Sequence, residues 1–351
     1  MAKTFLLYGS YGYTGGLILE LALSQGIKPV LGGRNADALA EQARVHKLEY
    51  RAFDLSDTAA AANKLAGVGA VLNCAGPFHR TAEPMAQACL KTGVHYLDVT
   101  GEIGVFESLA RLDNAARQAN LMLLPGSGFD VVPTDCLAAH LKSRLPDATE
   151  LVLAFQGLGR PSRGTATTAI ESMMRGGAVR RDGAITSVPA AWKTKEIDFS
   201  DGAIATVTIP WGDVSTAYYS TGIGNIEVYM ALPPRMIRQM RMTRYVGWLL
   251  ALAPVQSYIK RGIKAGPAGP SAKSRKETYS LVWGQATNAA GRRASTRLRT
   301  PNGYTLTAMT ALRATQRVLA GEIKPGFQTP SLAFGKDFIL EFDGVSREDI
   351  D

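Results

Sequence analysis

Through about the first 145 residues, brief apolar runs alternate with longer alanine-rich stretches, a rhythm that predicts parallel strands joined by crossover helices. The runs expected as strands are Thr4 to Tyr8, Pro29 to Leu31, Tyr50 to Phe53, Ala70 to Leu72, Val94 to Leu97 and Leu121 to Leu124. Good helix formers fill Asp37 to Ala43, Thr58 to Leu65, Pro84 to Leu90 and Leu109 to Ala119 between them. From Glu150 the rhythm changes to longer β-rich runs: Leu151 to Phe155, Ile204 to Ile209 and Glu227 to Ala231. Tyr279 to Ala286 and Ala294 to Thr300 flank an Asn288 to Arg293 turn, a hairpin pattern. Thr305 to Leu319 reads as a helix stopped by Gly321 and Pro325. The expected class is α/β, a doubly wound parallel sheet plus a second α+β domain with a mainly antiparallel sheet. Its expected boundaries are 1–148 and 149–302, with a C-terminal helix and tail over 303–351 packing back on the first domain.

Composition narrows this little. Hydrophobic residues make up 46% and charged residues 20%, the usage of a folded globular chain. Cys74, Cys89 and Cys136 cannot pair completely and form no Cys-x-x-Cys spacing, so neither a disulfide framework nor a metal site is expected and a reducing, cytoplasmic setting is. The apolar run before Gly9 is too short for a secretory signal. The nearest approach to a membrane span, Tyr245 to Val255, is also too short, although surface contact stays open.

Charge is more informative once it is located. Between Glu227 and Glu277 there is no acidic residue, while Arg235, Arg238, Arg241, Arg244, Lys260, Arg261, Lys264, Lys273, Arg275 and Lys276 account for the whole net charge of +9. Met236, Met240, Met242, Tyr245, Trp248 and several leucines are interleaved with them. Segment 235–276 therefore reads either as a core helix pair with a solvated basic face or as an amphipathic lid or interfacial segment. The second reading would meet an acyl carrier, an acyl-CoA or lipid headgroups, with peripheral membrane contact through 235–264. Nucleic acid is not expected, because no RNP-type aromatic strand, zinc finger or helix-turn-helix pattern accompanies the charge. A homodimer is open.

The first expected strand runs into Gly9-Ser10-Tyr11-Gly12-Tyr13-Thr14-Gly15-Gly16 and then a helix-like segment. In this G-x-x-G-x-x-G spacing, Gly9 permits the tight turn, Gly12 lets a diphosphate approach the backbone, and Gly15 lets helix and strand pack closely. The helix amides and dipole then face the negative charge. That is the dinucleotide-binding turn of a Rossmann-type sheet. At the end of the second strand, where NAD enzymes usually carry an acidic residue, stand Gly32-Gly33-Arg34-Asn35. Arg34 offers a guanidinium fork to a 2′-phosphate, with Asn35 as second donor, so NADP is expected over NAD. An ordinary surface arginine at a helix start is the competing account. Asp54 is placed to meet the adenine amino group, in competition with N-capping by Ser56 or Asp57.

Three more loops leave carboxyl ends of expected strands: Asn73-Cys74-Ala75-Gly76-Pro77-Phe78, Asp98-Val99-Thr100-Gly101-Glu102, and Pro125 to Asp130. Their small residues admit a ribose and nicotinamide, and Phe78 or Phe129 would wall the ring. Glu102 and Asp130 read equally as helix caps or as substrate groups.

Together these motifs resemble the saccharopine dehydrogenase-like oxidoreductases, through Tyr8 to Gly15, Gly33-Arg34, Asn73 to Phe78, Tyr96 to Glu102 and Gly128-Phe129-Asp130. Arg163 to Thr167 with Glu171, and Ile209 to Thr216, look like the branch containing trans-acting enoyl reductases of lipid synthesis. The resemblance implies an NADP-binding Rossmann domain, a substrate-shaping α/β domain and hydride transfer. Saccharopine-type enzymes bind amino-acid carboxylates, whereas this second half is rich in Met, Leu and aromatic residues, which favours an apolar unsaturated acyl or related carbonyl substrate. A dehydrogenase acting on an amino-acid-derived imine and a non-catalytic NADP-binding sensor or scaffold remain as alternatives. Hydride addition also needs a proton donor. Asp130 and Glu102 in the first half and Asp213, Tyr218 and Tyr219 in Trp211 to Gly222 are the candidates, with Asp130, Asp213 and Tyr219 preferred. The Tyr-x-x-x-Lys pair of short-chain reductases is absent, and of the four histidines only His79 adjoins an expected ligand loop.

Overall fold

The computed structural model describes residues 4–157, 159–167, 176–200, 202–250, 255, 261–262 and 265–350, with side chains omitted over 246–250. Glu171 and parts of the basic segment, including Lys260 and Lys264, lie outside the described residues. The chain divides into two compact units, Met1–Val132 with Tyr304–Gly335, and Pro133–Gly303 with Lys336–Asp351.

The first unit is built on a parallel sheet of β1 (Thr4–Tyr8), β2 (Val30–Gly33), β3 (Tyr50–Ala52), β4 (Val68–Asn73), β5 (His95–Asp98), β6 (Met122–Leu124) and β15 (Gly326–Phe327). Their order is β15-β6-β5-β4-β1-β2-β3. It reverses between β1 and β4, where open α/β sheets bind ligands beyond the strand carboxyl ends. Central strands read as continuous apolar runs because helices cover both faces, and every residue of β4 is buried. The crossovers are α1 (Tyr13–Ser24), α2 (Ala36–His46), α3 (Thr58–Asn63), α4 (Phe78–Thr92), α5 (Ile103–Ala110) and α6 (Asp113–Gln118).

Three features of this unit depart from the sequence pattern. The continuous helix expected over Leu109 to Ala119 is two helices, broken at Arg111 and Leu112. The helix expected from Pro84 begins at Phe78 and carries Pro84 inside it. A seventh strand, β15, arrives from the distal part of the chain; Gly326 N donates to Leu121 O at 2.8 Å and Gln328 N to Leu123 O at 2.8 Å. Two residues are too few for periodicity to reveal.

The second unit starts with α7 (Val132–Arg144) and carries β7 (Ala148–Gly157), β8 (Gly177–Arg181), β9 (Ala184–Val188), β10 (Thr194–Asp198), β11 (Ala203–Thr208), β12 (Asn225–Ala231), β13 (Tyr279–Asn288), β14 (Arg293–Pro301) and β16 (Ser346–Asp349). The main path is β10-β11-β12-β7-β13-β14-β16, parallel only between β12 and β7, with the β8–β9 hairpin paired to β12. The expected hairpin is β13–β14, in register from Tyr279–Pro301 to Thr287–Arg293. A Cβ on Gly284 would lie 2.7 Å from Leu141 Cδ1, so the bare backbone there lets α7 press onto one sheet face. Alternation places Leu281 and Trp283 on the other face, packed with Ile197, Phe199 and Tyr229. Residues 213–221, given no element of their own above within the half expected to be β-rich, form helix α8 (Asp213–Thr221), started by Gly212 and stopped by left-handed Gly222. Next come α9 (Pro234–Leu250) and α10 (Ala272–Glu277). Helices α11 (Gly303–Leu319) and α12 (Pro330–Phe334) follow the β13–β14 hairpin, and from Tyr304 to Gly335 the chain lies in the first unit.

Candidate functional site

The site is assembled at the carboxyl edge of the first sheet. Gly9 follows β1 at φ +84, and a Cβ there would sit 2.9 Å from Ala75 N, so only glycine lets the turn lie against the loop after β4. Gly9 N donates to Gly32 O at 2.7 Å and Cys74 N to Tyr8 O at 2.8 Å, which stitches the ends of β1, β2 and β4 together. A Cβ on Gly15 would collide with Gly9 O, so α1 rises directly off the turn. Its N-cap, Gly12, offers no side-chain acceptor and its first turn holds no acidic residue, leaving the helix start suited to an anion.

The rest of the turn is braced from behind. Ser10 is fully buried; its Oγ donates to Gln42 Oε1 at 2.7 Å and its carbonyl accepts from Gln42 Nε2 at 3.1 Å. Tyr13 packs edge-on against Tyr304 with ring centroids 5.1 Å apart, and Thr14 is half-buried on the first turn of α1. Tyr11 reaches across to the end of β2, where its hydroxyl accepts from Arg34 N at 3.2 Å and Asn35 N at 3.3 Å. Its ring covers Gly33, where any side chain would strike it. Arg34 and Asn35 are exposed, and Asn35 Oδ1 caps α2 by accepting from Ala38 N at 3.1 Å. Asp54 is also exposed. Its carboxylate accepts from Ser56 N and Oγ at 2.9 and 2.5 Å, bonds that hold its pKa below the usual range, while Asp57 caps α3.

Behind the β4, β5 and β6 loops lies a buried polar network. Asn73 Oδ1 accepts from Ala75 N at 3.0 Å, and its amide donates to Tyr96 Oη at 3.3 Å and Thr81 Oγ1 at 3.4 Å. Tyr96 in turn donates to Asp98 Oδ2 at 2.7 Å, while Asp98 Oδ1 accepts from Thr100 N at 3.0 Å and Gly126 N at 2.9 Å. Burial pushes the Asp98 carboxyl up to about 6, against the opposing pull of those hydrogen bonds. Thr100 is fully buried and its hydroxyl accepts from Glu102 N.

Glu102 occupies the N-cap position of α5 without capping it. Its carboxylate instead accepts from Phe78 N at 2.8 Å and His79 N at 3.1 Å, capping α4 and tying the 98–102 loop to the 73–78 loop. His79 Nδ1 stands 3.1 Å from the same carboxylate. Within that loop Cys74 and Ala75 are half-buried, Gly76 is exposed, and Pro77 follows a cis peptide bond and precedes Phe78 at the start of α4. Burial, then the Asp98 charge, raises the Cys74 thiol pKa, so it is not a nucleophile at neutral pH.

Asp130 sits beside Gly101, whose added Cβ would lie 2.9 Å from its Oδ2. Burial pushes this carboxyl up to about 7. Phe129 N donates to Thr307 Oγ1 at 3.0 Å, and Thr310 Oγ1 donates to Ser127 O at 2.8 Å. Helix α11 thus holds the 125–130 loop from far along the sequence. Gln42, Thr307 and Thr310 are site-shaping residues that sequence reasoning did not place at the site, and Asp98 is one that it placed in a ligand loop without reading its bracing role. Asp98 lay inside a quoted motif; the others carry no local signal.

The remaining candidates are in the second unit. Asp213 is fully buried at the first turn of α8, accepting from Thr134 Oγ1 at 2.8 Å and, more weakly, from Thr216 Oγ1 at 3.5 Å. Tyr219 is half-buried beside Tyr218, with ring centroids 5.9 Å apart, and the Arg180 guanidinium stacks 4.1 Å above the Tyr218 ring.

Comparisons with known proteins agree with this architecture. Residues 5–124 match the family model of the saccharopine dehydrogenase NADP-binding domain. A lipid droplet localized protein of Caenorhabditis elegans is 23% identical over 337 residues, covering 79% of this chain and 77% of that one. A trans-acting enoyl reductase of Mycobacterium leprae (strain TN) is 30% identical over 186 residues, 48% of this chain and 44% of its own. The solved apo saccharopine dehydrogenase (L-Glu forming) of Saccharomyces cerevisiae shares the fold at a TM-score of 0.65 with 13% identity, over 99% of this chain and 100% of that one. Among the described residues no helix is long and apolar enough to cross a membrane. The glycine turn, the reversal of strand order beside it and the match over residues 5–124 identify that part of the chain as an NADP-binding domain of the saccharopine dehydrogenase type.

Proposed function

We propose that the chain reduces an apolar unsaturated acyl substrate, an enoyl group or a related carbonyl, with NADPH as the reductant. The observation that carries this reading is the position of the Asp130 carboxyl against Gly101 at the carboxyl edge of the NADP-binding sheet, where burial pushes its pKa up to about 7. The similarity to a trans-acting enoyl reductase supports the substrate class.

In this reading the turn from Gly9 to Gly15 and the first amides of α1 hold the diphosphate, and the bare N-cap at Gly12 fits that group. Arg34 pairs with the 2′-phosphate, Asn35 donates through its amide nitrogen, and Asp54 meets the adenine. Residues 73–78, Thr100, Gly101, Glu102 and Phe129 border the ribose and nicotinamide. When bound, NADPH supplies the hydride. The carbon left electron-rich takes a proton, and Asp130 is the donor. Asp213, buried against Thr134, positions α8, and Tyr219 packs beside it.

The test is NADPH oxidation followed spectroscopically against enoyl thioesters and, separately, against keto acid plus amino acid. Turnover of the thioesters alone is the expected result. Turnover of the second mixture alone would transfer the chain to imine chemistry, and tight NADPH binding with neither turnover would make it a sensor.

A further inference from the structure

One side chain of the glycine turn leaves the turn altogether. Tyr11 reaches across to the end of β2, where its hydroxyl oxygen accepts from two successive backbone amides, Arg34 N at 3.2 Å and Asn35 N at 3.3 Å. A phenol oxygen accepts through its lone pairs and donates through a single proton. With two amides already on the oxygen, only the proton is left to offer, and no acceptor takes it among the described residues. The ring is admitted by Gly33: the three atoms nearest a Cβ added there all belong to Tyr11, the first at 2.5 Å. Tyr11 is 41% exposed, so a ligand can reach the hydroxyl.

No side-chain acceptor is left open at Tyr11, Arg34 or Asn35. Asn35 Oδ1 is used in the cap of α2, where it accepts from Ala38 N, and a guanidinium has donors alone. A ribose hydroxyl gives a proton as well as receiving one, which is why NAD sites place a carboxylate at this strand end. A phosphate only accepts. The end of β2 therefore suits a phosphate and leaves a free ribose hydroxyl without a partner for its proton.

We infer that the Tyr11 hydroxyl donates to the 2′-phosphate of NADPH beside Arg34, which makes Tyr11 a specificity-determining residue for the cofactor. The backbone of the same turn stays with the diphosphate. This role rests on the pairing of Arg34 with the 2′-phosphate proposed above and adds a second group to it, independently of which substrate is reduced.

The experiment is calorimetric titration of the full chain and of Tyr11→Phe, which removes only the hydroxyl, with NADPH and NADH and with the fragments 2′,5′-ADP and AMP. Turnover is not needed. NADPH and 2′,5′-ADP should weaken about 10-fold, the low end for a hydrogen bond to a charged group, because the site is open to water. NADH and AMP lack the phosphate and should stay within about twofold of the parent, since nothing they contact has changed. A loss shared equally by all four ligands would make Tyr11 a brace between the turn and β2, and would overturn the inference. So would a gain in NADPH affinity, which would make the hydroxyl a stopper on the two amides. The Arg34 reading fails separately: a parent with no preference for NADPH over NADH would overturn both assignments. A preference lost in Arg34→Ala but kept whole in Tyr11→Phe would overturn the role of Tyr11 alone.

Discussion

Asp98 in the first unit and Asp213 in the second are both fully buried, yet different partners hold them. Asp98 accepts from two backbone amides as well as from Tyr96, so it fixes the path of the chain at two loops. Asp213 accepts from the hydroxyls of Thr134 and Thr216, so it fixes how α8 packs. Asp130 differs from both, being half-buried at the edge of the first sheet. Asp98 thus helps shape the loops of the site and Asp213 ties α8 to Thr134, while Asp130, raised toward neutrality by burial, is the proposed proton donor.

That contrast is most exposed to failure at Asp130. Asp130→Asn keeps the volume and removes the proton, and it should lower kcat by about 100- to 10,000-fold with little change in NADPH affinity. In the parent, kcat should fall as pH rises through about 7, because the donor must be protonated, and the variant should lose that limb. Stability follows the same sign. A carboxyl raised from 3.8 to about 7 contributes stability that is fully present below 3.8 and is lost as pH rises toward 7. Stopped-flow pH profiles and chemical denaturation at matched pH check the two halves separately; an unshifted profile in the variant moves the acid elsewhere.

Next in size is Gly15→Val. Its side chain has to displace the Gly9 carbonyl, so NADPH affinity should drop about 100-fold, the equivalent of about 2.7 kcal/mol at the turn. Calorimetric titration measures it. Arg34→Ala should cost NADPH about 10- to 100-fold and leave NADH within about twofold, since a charge-assisted bond to a phosphate is worth roughly 1.5–3 kcal/mol. Equal losses for the two nucleotides would return Arg34 to the ordinary surface.

Much of the first unit was legible because its chemistry is local. Gly9, Gly12 and Gly15 act on the backbone within a few residues, and strands buried on both faces announce themselves as apolar runs. Less could be read where a group's partner is distant in sequence. Glu102 lies at the start of α5, which suggested a cap for that helix, but Phe78 and His79 supply the amides it accepts from. Thr307 and Thr310 reach the 125–130 loop across about 180 residues, and nothing in a helical threonine foretells that. In the second unit the helix over 213–221 was hidden because Val214, Tyr218 and Tyr219 favour strands intrinsically; Gly212 and Gly222 bracket it, and packing decides. Arg181 and Lys193 likewise converge on Glu227, at 2.9 and 2.7 Å, only once β8, β12 and the approach to β10 are side by side.

The smallest effect separates Asp213 from Asp130. Asp213→Asn retains an oxygen that can accept from Thr134 but gives up the charge, so the stabilisation lost should be about 1–3 kcal/mol, the range for a weakened hydrogen bond to a buried ion. Thr134→Val should cost a similar amount by leaving the carboxylate short of a donor. If Asp213 only positions α8, the two losses should overlap in the double variant rather than add, because both act on the same contact, one weakening it and the other removing its donor. The limb near pH 7 should persist in all three proteins, with kcat within a few-fold of the parent. Loss of that limb in Asp213→Asn alone would mean that the second unit holds the proton, and the division between site-shaping and core-shaping carboxylates would have to be reversed.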